Sequence, residues 1–167
     1  MRLDPHYPPQ GTVRDWIDLR AAERGDAISH IFPGDGGTLT WRELRDEAAR
    51  IGGRLAGLGL SRGDSVALMM PNGRNTVLGL FGALYGGFRA TMINLVAGAE
   101  AVGYALSHSD ARALLLDPSQ RELLENALTA HPADPMVIEA GDDFRWPAGC
   151  EPAPPHAHDA DHDALLM

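Results

Sequence analysis

The sequence predicts an α/β domain with a doubly wound, mainly parallel sheet of the Rossmann or flavodoxin type and helices on both faces. Three observations carry this expectation. Apolar runs of strand length alternate with helical periodicity from Ser65 to Ala140. The connections between them are short. The run "SVALMM" (Ser65–Met70) is apolar throughout, as a strand covered on both faces must be.

Taken in order, "GTVRDWIDLRAAERGD" reads as a helix. Thr12 can cap it, Val13, Trp16, Ile17 and Ala21 share a face, and Gly25 stops it. "AISHIF" is a strand and "PGDGG" a turn built of turn residues. In "TLTWRELRDEAARIGGRLAGLGL", Thr40 and Glu43 stand three apart, the spacing of a capping box. Trp41, Leu44, Ala48, Ile51, Leu55 and Leu58 recur at steps of three and four, giving one buried stripe, and Gly59 ends the helix. After the "SVALMM" strand and the loop "PNGRN", "TVLGLFGALYGGF" is apolar nearly all round and predicts a helix sunk between neighbours. "RATMINL", "ARALLLD" and "PMVIEA" are strands. "AGAEAVGYALSHSD" and "PSQRELLENALTAH" are helices, the second with Pro118 in its first turn. From Gly141 to Asp163 the pattern dissolves into Pro, Gly, Asp and His, which reads as a linker or long loop. The expected division is an α/β subdomain over 1–140, with a linker and the start of a further strand over 141–167.

Composition narrows the function. A formal net charge of −9 argues against nucleic acid or an anionic membrane as the main partner. The single cysteine, Cys150, excludes an intramolecular disulfide and fits a reducing compartment, so a cytoplasmic setting is expected. The start "MRLDPHYPPQG" has no apolar core, and no apolar run is long enough to span a bilayer.

Residues with chemical potential are few. "GLGLSRG" resembles a dinucleotide fingerprint only superficially, because it ends a helix instead of opening one. Gly79, Gly82, Gly86 and Gly87 suit close helix packing and a C-cap. His156, His158, Asp159, Asp161, His162 and Asp163 are metal-ligand types without a zinc spacing, so a solvated loop is expected. His30 and His108 read as structural. Cys150 stands beside Glu151, which disfavours a thiolate. Arg112 and Arg121 are surface cations with the reach to touch a phosphate. The residues alone assemble no catalytic, cofactor or metal set.

The ordered series of motifs resembles the opening of the AMP-forming acyl-CoA synthetases, the adenylate-forming superfamily. Trp41, Glu43 and Leu44 match its aromatic-x-Glu-Leu helix start. Gly63, Asp64 and Val66 match its turn into a strand, and Pro71 and Asn72 match the Pro-Asn that follows. "LYGGFRATMINL" keeps Gly87 and Asn94 but carries Tyr85 for the usual Lys or Arg and Met92 for the usual Pro. Glu100, Leu106, Ser109, Ala111 and Asp117 fall in the expected places. The resemblance covers about residues 10–140.

It implies a parent reaction of carboxylic acid, ATP and CoA giving acyl-CoA, AMP and pyrophosphate, with Mg as the metal. In that family a strand like "DALLM" leads into a phosphate-wrapping loop. This chain is therefore expected to be an N-terminal, scaffold-forming portion, inactive alone and needing no cofactor of its own. In some relatives "INLVAG" and the loop after "ALLLD" border the CoA entrance, with Arg121 as a candidate contact. Self-association through an uncovered apolar face is expected. Two other readings stand beside this one: a self-standing small-molecule or nucleotide-binding domain, and a non-catalytic dimerising interaction protein.

Overall fold

The structure, a computed structural model, describes residues 11–34, 37–141, 143–157 and 164–166. The Pro-rich lead before Gly11, Asp35 and Gly36 of the expected turn, and His158 to Asp163 of the histidine-rich run lie outside the described residues.

Helix α1 (Val13–Arg24) opens on a capping box. The Thr12 N–H donates to Asp15 Oδ2 at 2.7 Å, and the Asp15 N–H donates back to Thr12 Oγ1 at 3.3 Å. Strands β1 (Ile28–Phe32) and β2 (Gly37–Thr40) follow as a separate antiparallel pair. This departs from the expected run of βαβ units, and "TLT" proves to be a strand before it is a helix lead. The connection decides it. Parallel neighbours need a crossover of a dozen or more residues, and only residues 33–36 separate β1 from β2.

Helix α2 (Trp41–Gly57) starts on the expected box. The Thr40 N–H donates to Glu43 Oε2 at 2.8 Å, and the Glu43 N–H donates to Thr40 Oγ1 at 3.2 Å. Leu44, Ala48, Ile51 and Leu55 of its stripe are fully buried. Leu58 closes the helix, and Gly59 turns the chain at φ +84°. Gly57 and Gly59 of "GLGLSRG" thus make a helix end, and Gly63 turns the chain at φ +79°.

The rest alternates: β3 (Ser65–Met69), α3 (Arg74–Gly86), β4 (Arg89–Met92), α4 (Gly98–His108), β5 (Ala111–Leu116), α5 (Arg121–Ala130) and β6 (Met136–Ala140), then β7 (Phe144–Arg145) and β8 (Leu165–Leu166). Pro118 lies in a short 3-10 turn (Pro118–Gln120) leading into α5, one step earlier than expected. These strands form one sheet in the order β7-β6-β5-β3-β4-β8, parallel except for β6 with β7. Successive strand residues bury on opposite faces, as the pleat requires. Val66, Leu68, Ala113, Leu115 and Ile138 pack with α2 and α3. Ala67, Met69, Leu114 and Leu116 pack with Val102, Leu106, Leu124 and Ala127 of α4 and α5. Every residue of β3 is buried, which is why it reads as a continuous apolar run.

Glycine lets α2 and α3 approach closely. A Cβ at Gly52 would lie 2.8 Å from the Gly86 Cα, and one at Gly82 would lie 2.6 Å from the Ile51 Cβ. Gly79 faces Leu115, Met70 and Leu68 of the sheet, and Gly87 caps α3 at φ +87°.

The segment expected to be a linker is pinned where it is described. Beyond β7, residues to 157 run as an extended strap over α2 and α3. Phe144 and Cys150 are buried, the Ala153 N–H donates to Gly53 O at 2.9 Å, and the His156 N–H donates to Gly86 O at 3.1 Å.

Three predictions rest on these contacts. Thr40→Ala should cost about 0.5–2 kcal/mol, read as a lower denaturation midpoint at unchanged slope. Glu43 adds a pH signature. The Thr40 backbone and hydroxyl donors hold its carboxyl below the usual carboxylate range. Its contribution is therefore full above its ordinary pKa and fades as pH falls through its depressed one, so E43Q should flatten that part of the acid limb. Gly52→Ala should destabilise the chain by about 1–3 kcal/mol by overpacking against backbone, despite alanine's better helix propensity. A raised midpoint in Gly52→Ala would contradict the close crossing.

Candidate functional site

In a doubly wound sheet the ligand crevice lies outside the carboxyl ends of the strands, where the winding direction reverses. Here the chain moves from β3 outward to β4, then returns to the other side of β3 for β5 and β6, so the reversal lies between β3 and β5. The loop Pro71–Gly73 leaves β3 toward α3. Asp117 leaves β5 toward α5, and its N–H donates to Met69 O at 3.0 Å across the gap.

Several polar side chains around this crevice are bonded to neighbouring segments. Asp117 Oδ1 accepts from the Ser119 N–H at 2.9 Å and from its hydroxyl at 2.6 Å, capping the 3-10 turn. Glu139 takes an ion pair from Arg121 and a second from Arg145 at 3.0 Å. Arg121, hydrogen-bonded first and charge-paired second, holds the Glu139 carboxyl below its usual range; Glu139 in turn raises Arg121. Asn75 Nδ2 donates to Gly141 O at 2.8 Å, Asn94 Oδ1 accepts from the Val96 N–H at 3.2 Å, and Arg74 Nη1 donates to Thr38 O at 3.1 Å.

Two clefts flank the start of α3. One, of about 440 Å³, lies between Ile31, Pro33, Asn72 and Val77. The other, of about 340 Å³, is lined by Arg50, Arg74 and Phe144. Arg50 is paired there with Glu47 at 2.7 Å and Asp143 at 2.6 Å. A larger cleft of about 700 Å³ opens at the amino ends of β5 and β6, on the wrong end of the sheet for the rule above, and Arg112 lines it.

The other residues singled out in the sequence have local partners. His30 packs on Phe32 and Phe81, with centroids 6.3 and 5.6 Å away, and burial lowers its pKa. His108 stacks on Tyr104 at 3.9 Å. Cys150 is buried with its Sγ 3.4 Å from Arg54 O. His156 is anchored, its Nε2 donating to Leu60 O at 2.8 Å, so it does not belong to a solvated loop. Tyr85 is buried and donates to Asp18 Oδ1 at 2.8 Å. Burial first, then Asp18, pushes its phenol up to about 12. Glu100 pairs with His131 at 2.8 Å.

Sequence reasoning missed the Arg121–Glu139–Arg145 network and the Arg50 pair, whose partners are scattered along the chain. Among the described residues, no group of three metal-ligand side chains converges. At the crevice the side chains of Arg121, Asn75 and Arg74 bond Glu139, Gly141 O and Thr38 O. These bonds tie the loops that follow the strands to one another and to the sheet. No helix among the described residues is long and apolar enough to cross a membrane.

Comparison with known proteins agrees with this geometry. A family model described as AMP-binding enzyme matches residues 17–167. The chain is 32% identical over 163 residues to a sulfoacetate–CoA ligase of Cupriavidus necator, covering 93% of this chain and 32% of that one. It is 33% identical over 174 residues to a salicyl-AMP ligase / salicyl-S-ArCP synthetase of Mycobacterium tuberculosis, covering 93% and 29%. Among solved structures, the N-terminal domain of FACL13 from Mycobacterium tuberculosis matches with a TM-score of 0.69 at 25% identity, over 77% of this chain and 34% of that one. A benzoate CoA ligase from Burkholderia xenovorans shares the fold, with a TM-score of 0.78 at 22% identity over 93% and 32%. The chain spans about a third of the length of these curated relatives. With the family model matched over nearly all of its length, the chain belongs to the AMP-binding enzyme family.

Proposed function

We propose that this chain supplies the first α/β subdomain of an AMP-forming acyl-CoA ligase. The reaction of the whole enzyme is adenylation of a carboxylic acid by ATP with release of pyrophosphate, then attack of the CoA thiol on the acyl-AMP with release of AMP. ATP, Mg and CoA serve that enzyme, and a carboxylic acid is its substrate. The match to the AMP-binding family over residues 17–167 is the observation that carries this reading. The body is assigned to residues up to 140, and 141–167 to the passage toward a further strand.

Within this reading, the 167 residues alone do not adenylate. Phosphoryl and nucleotidyl transfer needs cations and donors aimed at the reacting phosphates. At the reversal crevice Arg121 is paired with Glu139, and at the start of α3 Arg74 donates to Thr38 O. The chain is a scaffold onto which other residues bring the chemistry.

The test is carboxylate-dependent exchange of labelled pyrophosphate into ATP by the pure 167-residue chain. The expected rate equals that of a no-protein control. Exchange that co-purifies with the chain would overturn the scaffold reading. A second expectation concerns association. β8 is the terminal strand of the sheet, and Leu165 on it is 46% exposed. An unpaired strand edge recruits another chain, so sedimentation should show a concentration-dependent dimer. A strict monomer at high concentration would remove self-association from the account.

A further inference from the structure

Past Trp146, which with Phe144 belongs to the core, the strap over residues 147–157 is held mainly by polar contacts with three elements. Arg14 of α1 donates to the His156 carbonyl at 2.7 Å, and Arg54 of α2 donates to the Cys150 carbonyl. The backbone of Ala153 bonds to α2 and that of His156 to the end of α3. The His156 ring bonds Leu60 O and sits edge-on to Phe88, centroids 5.5 Å apart. The bed is shaped for a passing backbone. A Cβ at Gly57 would collide with the Glu151 carbonyl, and one at Gly53 would lie 3.0 Å from Ala153 O. Between Pro147 and Ala157 the one fully buried residue is Cys150; its neighbours are exposed or half-buried. A segment with few buried apolar groups and many peripheral hydrogen bonds opens at lower free energy than the core beneath it.

Strand β8 depends on what precedes it. Its two residues pair with Ala90 and Thr91 of β4, and Ala164 O accepts from the Ala90 N–H at 2.8 Å. So short a strand has little hold of its own. Its effective concentration at the β4 edge is set by the chain before it, and His156, eight residues ahead of Ala164, is anchored to the body.

We propose that residues 147–157 form a latch, which lifts from α2 and α3 as a unit without global unfolding and which, when docked, seats β8 on β4. Lifting it uncovers the glycine bed and opens the β4 edge together. The latch thereby controls whether that edge is available to another strand. The α4 and α5 face of the sheet takes no part. This inference does not rest on the proposed enzymatic role.

Cys150, the chain's one cysteine, reports the docked state directly. The experiment is native-state labelling of the wild-type chain with an aromatic disulfide reagent, with amide exchange followed at Ala90, Leu114 and Ile138. The latch predicts that Cys150 labels faster than global unfolding allows, with weaker denaturant dependence than the exchange of Leu114. Gly57→Ala, which favours the helix but strikes the strap, should accelerate labelling at least about tenfold and strip protection from Ala90. Leu114 and Ile138 should keep theirs. His156→Ala, which removes only the anchor at Leu60 and Phe88, should act the same way by roughly three- to tenfold. Labelling that tracks global unfolding in all three proteins would overturn the latch. Faster labelling with unchanged Ala90 protection would overturn its coupling to β8.

Discussion

The near-contact of α2 and α3 is the constraint on which the rest of this structure depends. Gly52 and Gly86 meet with no room for a side chain on either, and Gly82 admits Ile51 of the facing helix. That approach sets how the pair lies on the sheet. Val66, Leu68, Leu115 and Ile138 can then be covered by two helices at once. It also leaves a shallow glycine-lined surface on the outer side, over which residues 150–156 run within backbone hydrogen-bonding distance. A side chain at any of these glycines would have to be accommodated by moving backbone, which a close-packed interior resists.

Electrostatics in this chain serves the same end. Arginines outnumbered by carboxylates are placed where they tie distant segments together. Arg14 holds both the Tyr85 and His156 carbonyls, Arg50 joins Glu47 to Asp143, and Arg121 and Arg145 share Glu139. Most of these pairs are partly exposed, and such pairs contribute little stability individually. Their effect is on geometry: Arg50, Arg121 and Arg145 fix loops at the carboxyl end of β6, and Arg14 fixes the strap at the end of α3. Around the crevice where a doubly wound sheet offers a ligand site, Asp117, Arg121 and Asn75 make contacts internal to the fold.

Much of the fold was legible in the sequence because periodicity reports burial. The stripe from Trp41 to Leu58 and the unbroken apolar run of β3 could be read directly, and Thr40 with Glu43 marked the start of α2. The hairpin was harder, since "TLT" next to a capping box looks like a helix lead until the short turn rules out a crossover. The strap was not legible as an ordered element. Its hold comes from backbone carbonyls meeting Arg14 and Arg54, and backbone contacts leave no side-chain pattern. One signal was present. Gly53 with Gly57, and Gly82 with Gly86, are spaced four apart on successive helices, and that spacing puts each pair on one face. The ion network at Glu139 joins residues separated by eighteen and six positions, a separation no local motif encodes.

The central claim is that the polar groups at the carboxyl ends of the strands serve the fold and not a ligand. Its most direct test is a titration of the isotopically labelled 167-residue chain with MgATP, following the backbone amides of Asn72–Asn75, Asn94–Val96 and Ser119–Arg121. The account predicts shifts that stay small and do not saturate, since Arg121, Asn75 and Arg74 already bond Glu139, Gly141 O and Thr38 O. Saturable shifts concentrated at these amides, with one-to-one stoichiometry, would contradict it and would identify a nucleotide site within this chain itself.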